Sequence, residues 1–72
     1  MWILNQRRDK LINTANVKQI RCFEDGEITA DGTVLGKYKD TAPVMNSIIN
    51  GIDKTRLMLM PEEDELEQAS GL

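Results

Sequence analysis

Histidine is absent from the 72 residues, which removes the side chain most often used as a general base or metal ligand near neutral pH. The single cysteine, Cys22, has no partner within its own chain, so the disulfides that staple small secreted domains are missing and a reducing, cytoplasmic setting is expected. No apolar run approaches the roughly 18 residues of a membrane span. In the opening "MWILNQRRDK" the apolar part precedes the basic part, the reverse of a secretion signal. The expectation is a protein neither exported nor membrane-spanning. Nucleotide hydrolysis lacks its loop, because the glycines of "GEITADG" do not lead into a helix and no Gly-Lys-Ser/Thr follows. "DGEITADG" has the Asp and Gly of a calcium loop without its ligand spacing. Cys22, on a strand and without a histidine partner, reads as a small buried hydrophobe. No enzyme activity, cofactor or metal is expected.

What is present suits one small folded unit. Hydrophobic residues make up 40% and charged residues 29%, within the globular range. A chain of this length buries only about 60% of the surface its unfolded form exposes, so its core is thin. The net charge of −3 is unevenly spread. Residues 1–61 carry nine basic against seven acidic side chains, a net of +2, and Glu62, Glu63, Asp64, Glu65 and Glu67 follow as an acidic block. The division expected is a single α+β domain over 1–61 and an acidic tail over 62–72, either a frayed helix or disordered.

Apolar periodicity predicts the elements. Trp2 to Leu4 and Lys10 to Asn13 read as strands separated by the polar "NQRRD", and "NTAN" at 13–16 is rich in turn formers. A third strand spans 17–24. Two Asp-Gly pairs, at 25–26 and 31–32, suit type I′ hairpin turns and join 17–24, 27–30 and 33–38 into a meander, with Gly36 marking a bulge. After Asp40 the period changes from two to that of a helix. Asp40 or Thr41 is placed to cap the first turn, and Pro43 is tolerated where an N–H has no intrahelical partner. Val44, Met45, Ile48, Ile49 and Ile52 form one stripe expected to cover the meander, with Lys54 and Arg56 favouring the helix C-terminus. A short strand, Leu57 to Met60, apolar on both sides and therefore internal or covered, ends at Pro61. The fold class is thus α+β: an antiparallel meander of about five strands plus a short C-terminal strand, packed by one amphipathic helix.

Candidate contact residues follow from residue type. Trp2, the sole tryptophan, reads either as a core or rim residue at the sheet edge or as an interface anchor. Arg7, Arg8 and Lys10 form one basic cluster; Lys37 and Lys39 flank Tyr38 in another. Basic residues interleaved with an aromatic suit nucleic acid, against the simpler reading of solvated strand and turn positions. A sheet this small has a second face and two edges to manage, and self-association would cover them.

"MWILNQRRDKLIN", "GTVLGKY" and the "MPEE" after the helix together resemble a group of small uncharacterised proteins from Gram-positive bacteria and their prophages. The likeness covers most of residues 1–63; the short central hairpins and the acidic extension depart from it. It implies a phage or mobile-element setting, where small proteins act by binding a host protein or sequestering a ligand, and it carries over no functional residues. The leading expectation is a non-enzymatic, homo-oligomeric interaction module that binds a host protein, with inhibition as one mode of action, through Trp2, Tyr38 and the acids Glu62, Glu63, Asp64, Glu65 and Glu67. The alternatives are a nucleic-acid binder using Arg7, Arg8, Lys37, Tyr38 and Lys39, and an oligomer holding a small ligand such as a nucleotide between subunits.

Overall fold

The computed structural model describes residues 1–62. One helix and six strands form an α+β fold: β1 (Trp2–Leu4), β2 (Leu11–Asn13), β3 (Ile20–Cys22), β4 (Glu27–Ala30), β5 (Thr33–Lys37), α1 (Ala42–Gly51) and β6 (Leu57–Leu59). The strands divide into two three-stranded sheets, ordered β2-β1-β6 and β3-β4-β5. The second is the expected antiparallel meander. In the first, β1 pairs antiparallel with β2 and parallel with β6, a long-range pairing that no local turn signal announces. The β6 strand is neither internal nor covered. It forms the edge of its sheet, and its outward leucines stay exposed.

The two Asp-Gly pairs turn the chain differently. At Asp31-Gly32 both residues take positive φ, 48° and 86°, as a type I′ turn requires. Asp31 is then held by its surroundings, because its carboxylate accepts the backbone N–H groups of Lys18 at 2.9 Å and Gln19 at 3.0 Å. At 25–26 only Gly26 is left-handed, at φ 93°. Its N–H donates to the Phe23 carbonyl at 2.9 Å and Phe23 N–H donates to Glu27 at 2.8 Å, which makes a longer loop closed by a glycine in place of the expected I′ turn. The backbone passes so close that a side chain at Gly26 would overlap the Tyr38 carbonyl oxygen. The register slip between Ile28 and Thr29 leaves Leu35 as the extra residue beside Gly36, the expected bulge.

Helix α1 starts where the sequence places it. Asp40 Oδ1 accepts the Ala42 N–H at 3.2 Å, Thr41 makes no side-chain cap bond, and a proline occupies the first turn. Only part of the stripe is buried. Val44 and Ile48 are enclosed and Met45 is half-buried, but Ile49 is 62% exposed and Ile52 40%. The helix ends at Gly51, so Lys54 and Arg56 lie beyond its last turn. The core combines Val44 and Ile48 with Ile3 and Met60 from the first sheet and its exit, and with Ile28, Ala30, Leu35 and Tyr38 from the second sheet and its exit.

Polar contacts sew the sheets together. Gln6 N–H donates to Leu35 O at 2.7 Å, and its side chain both donates to Lys37 O at 3.2 Å and accepts the Lys37 N–H at 2.9 Å. Within the first sheet, Arg8 Nη1 donates to Met60 O at 2.9 Å and ties the β1–β2 loop to the exit of β6. The Tyr38 hydroxyl donates to Pro61 O at 2.6 Å, with the ring lying over Gly36 where any side chain would collide with it.

The Tyr38 bond generates a test. Tyr38→Phe keeps the ring and removes the donor, and is expected to cost about 0.5–1.5 kcal/mol, read as a lower denaturation midpoint. An unchanged midpoint would deny the bond a structural role. A second test uses Asp31, whose carboxyl is held below its ordinary value of 3.8 chiefly by the Lys18 and Gln19 N–H groups. A depressed carboxylate stabilises the fold above that ordinary value and ceases to do so as pH falls through the lower folded value. Asp31→Asn tolerates the left-handed backbone but loses the charge. It should melt below the wild type at neutral pH, with the gap closing below pH 3.8. A gap independent of pH would refute the assignment.

Candidate protein-interaction site

Strand alternation sorts the first sheet into two unlike faces. Ile3, Ile12 and Met58 stand side by side in the register and point to the core. Trp2 and Leu4 of β1, Leu11 of β2, and Leu57 and Leu59 of β6 therefore point the other way. This outer face is apolar and uncovered: Trp2 is 44% exposed, Leu57 52%, and Leu11 and Leu59 slightly more. Met1, Trp2, Leu11, Arg56 and Leu57 line a broad depression of about 610 Å³ across it, with Arg56 its one charged wall. Exposed leucines are ordinary singly; four large apolar side chains contiguous on one sheet face are not, and such patches mark interaction surfaces. Trp2, expected at a sheet edge, is the first residue of the central strand, with Leu57 beside it on one flank and Asn13 on the other.

The β1–β2 connection that frames this face depends on a residue the sequence reading missed. Asn5 is buried; its Oδ1 accepts the N–H groups of Asp9 and Lys10, both at 3.0 Å, and its Nδ2 donates to Asp9 Oδ1 at 2.7 Å. The bond from Asn5 is the main cause that holds the Asp9 carboxyl below its ordinary value. Arg8 takes φ 64°, rare for a non-glycine residue, and is kept there by its bond to Met60 O and by its N–H to Asn5 O at 3.0 Å. An asparagine followed four residues later by an aspartate was the only available signal, and it reads as turn composition.

Tyr38 is not an exposed contact. It is 2% exposed and belongs to the core, so it offers neither a partner anchor nor a stacking platform. Cys22, expected to be buried, is exposed at the sheet edge. Glu62 is exposed, whereas Glu63, Asp64, Glu65 and Glu67 lie outside the described residues. Gln6, next to Arg7 in the chain, grips the backbone of Lys37, while the Arg8 guanidinium is turned to Met60 O and Asn5 O. Lys37 Nζ stands 3.9 Å from Asp25 Oδ2, both groups well solvated. Among the described residues no three His, Cys, Asp or Glu side chains gather to hold a metal ion, and no helix is long and apolar enough to cross a membrane.

Compared with known proteins, the chain matches no family model, no curated protein and no solved structure.

The two faces of β1 predict opposite sensitivities. Ile3→Ala empties a fully enclosed site and is expected to cost about 2–5 kcal/mol, while Trp2→Ala, whose side chain is only partly covered, should cost less, about 1–2 kcal/mol. Chemical denaturation of both variants checks this. A loss at Trp2 equal to that at Ile3 would mean that the outer face is covered within the monomer.

Proposed function

We propose that this domain is a non-enzymatic interaction module that binds a host protein, in the cytoplasm of a bacterium carrying a phage or mobile element. The observation that carries the reading is the exposed outer face of β2-β1-β6, with Trp2 on its central strand and leucines on both flanking strands. Tryptophan within an apolar patch is the residue type that most often dominates binding energy. The mobile-element setting rests on the resemblance of the "MWILNQRRDKLIN", "GTVLGKY" and "MPEE" segments alone. Glu62 is exposed and follows the end of β6.

Trp2 also supplies the readout. Immobilised protein incubated with lysate of a Gram-positive host should retain a partner that the double variant Trp2→Ala, Leu57→Asp loses, and the purified partner should shift Trp2 fluorescence to shorter wavelength. A partner held equally by wild type and variant would place binding elsewhere, and no retained partner would count against the reading. Removal of residues 63–72 tests the tail acids in the same assay; unchanged retention excludes them.

A second reading, nucleic-acid binding, is supported by the Gln6 contacts that bring the segment before Arg7 against the backbone of Lys37. With Tyr38 buried, recognition would be electrostatic, through phosphates. Affinity for an oligonucleotide should then fall steeply between about 50 and 200 mM salt, and no binding at the lower value would end this reading.

A further inference from the structure

An acid or amide directly precedes glycine at three places in the chain: Asp25-Gly26, Asp31-Gly32 and Asn50-Gly51. At such a pair the glycine nitrogen can attack the preceding Cγ and close a five-membered imide, because the glycine has no Cβ to hinder the approach. The fold treats the three pairs differently. Asp31 has both carboxylate oxygens occupied, by the N–H groups of Lys18 at 2.9 Å and Gln19 at 3.0 Å, and these bonds favour the ionised form, which is a poor electrophile. At the second pair Asp25 Oδ1 accepts the Glu27 N–H at 3.0 Å, while the Gly26 N–H is committed to Phe23 O at 2.9 Å and its backbone is packed against the Tyr38 carbonyl. Neither pair is free to cyclise.

Asn50 differs on each count. Its side chain is exposed, makes no hydrogen bond among the described residues, and is an uncharged amide, electrophilic without first gaining a proton. The four other asparagines precede Gln6, Thr14, Val17 and Ser47, whose side chains crowd the attacking nitrogen. Only the backbone restrains Asn50. Gly51 is the last residue of α1, so its N–H is directed at the carbonyl four residues earlier, and a helical ψ of about −42° at Asn50 turns that nitrogen away from Cγ. The restraint is a weak one. Glycine is the poorest helix former after proline, no basic residue stands in the last turn, and the Gly51 carbonyl is held by the N–H groups of Lys54 at 3.0 Å and Thr55 at 2.8 Å, in a turn of few residues.

We propose that Asn50 is a deamidation site gated by the last turn of α1. When that turn opens, the Gly51 nitrogen gives its proton to solvent and bonds to Asn50 Cγ; the Cγ–Nδ2 bond breaks and ammonia leaves, taking a proton from water. Water then adds to either imide carbonyl, which yields aspartate or isoaspartate. The sum is one amide and one water converted to one carboxylate and one ammonium. Either product puts a negative charge at the end of the helix where the macrodipole disfavours it, and isoaspartate also lengthens the main chain by one carbon beside Gly51. The turn is thereby loosened for good, next to the exposed Ile49 and Ile52. None of this depends on what the Trp2 face binds.

The test is to hold the full chain in warm, mildly alkaline buffer, folded and in guanidinium chloride, and to locate new carboxylates by mass spectrometry of proteolytic fragments. Conversion is expected at Asn50 before any other asparagine, and before imide formation at Asp25 or Asp31. It should be slower folded than unfolded, and below the unfolding transition it should rise only shallowly with denaturant, as local opening does. Gly51→Ala should slow it at least about fivefold through helix propensity alone. Its new Cβ would lie 3.1 Å from Thr55 Oγ1, a side chain that can rotate aside. Ser47→Ala strengthens the helix without touching the reacting atoms and should slow it about twofold. Earlier conversion at another residue, none in the folded chain, a folded rate equal to the unfolded one, a rate rising in parallel with global unfolding, or one unmoved by Ser47→Ala would each overturn the proposal.

Discussion

The structure depends on Val44 and Ile48 reaching from one helix face into the seam between two sheets. Neither sheet closes a core alone: strands of three to five residues bury too little, and short hairpins are marginal in water. At the seam, Ile3 and Met60 approach from one side and Ile28, Ala30 and Leu35 from the other, and the helix residues are the apolar surface common to both. Fully burying one such aliphatic side chain contributes roughly 1.5–3 kcal/mol, so two of them weigh heavily in a domain whose net stability is itself only several kcal/mol. The seam is then fixed in position by groups that local pairing leaves over. Gln6 takes Leu35 O and Lys37 O, Arg8 takes Met60 O, and Tyr38 takes Pro61 O, each bond tying one sheet or its exit to another part of the fold.

Size dictates what this arrangement leaves open. A ten-residue helix presents one stripe, and once Val44 and Ile48 are committed to the seam no other element among the described residues covers the far face of β2-β1-β6 or the outer flank carrying Ile49 and Ile52. Two of the exposed apolar surfaces among the described residues are distinct in kind, one a sheet face that includes Trp2, the other an edge strand beside a helix. Their chemistry differs accordingly. The first offers side-chain area with a single charged wall, Arg56, whereas the second adds backbone donors and acceptors to its apolar groove.

Much of the fold was legible because local rules act over a few residues. Asp31-Gly32 makes its type I′ turn since both residues accept positive φ; Asp40 and Pro43 start the helix; Gly36 accompanies the bulge. The candidate site was legible only in part. Trp2 was singled out by its type, but Leu57 and Leu59 were read as covered, because a run apolar on both sides does not say whether a second layer exists. Tyr38 was misjudged since flanking lysines suggest exposure, while its ring is drawn inward over Gly36 and its hydroxyl finds an acceptor 23 positions along the chain. Cys22 failed the opposite way: its strand sits at the edge, where the core side of a sheet is still open to water.

Sequence alone determined the periods, the turn positions, the helix start and the α+β class, because these follow from backbone sterics, side-chain alternation and capping within a few neighbouring residues. Tertiary structure decided the parallel pairing of β6 with β1, the burial of Asn5 and Tyr38, and which half of the helix stripe faces the core. Those outcomes require residues 20 to 60 positions apart to compete for one small volume of apolar space and a few backbone acceptors, and no local pattern records who wins.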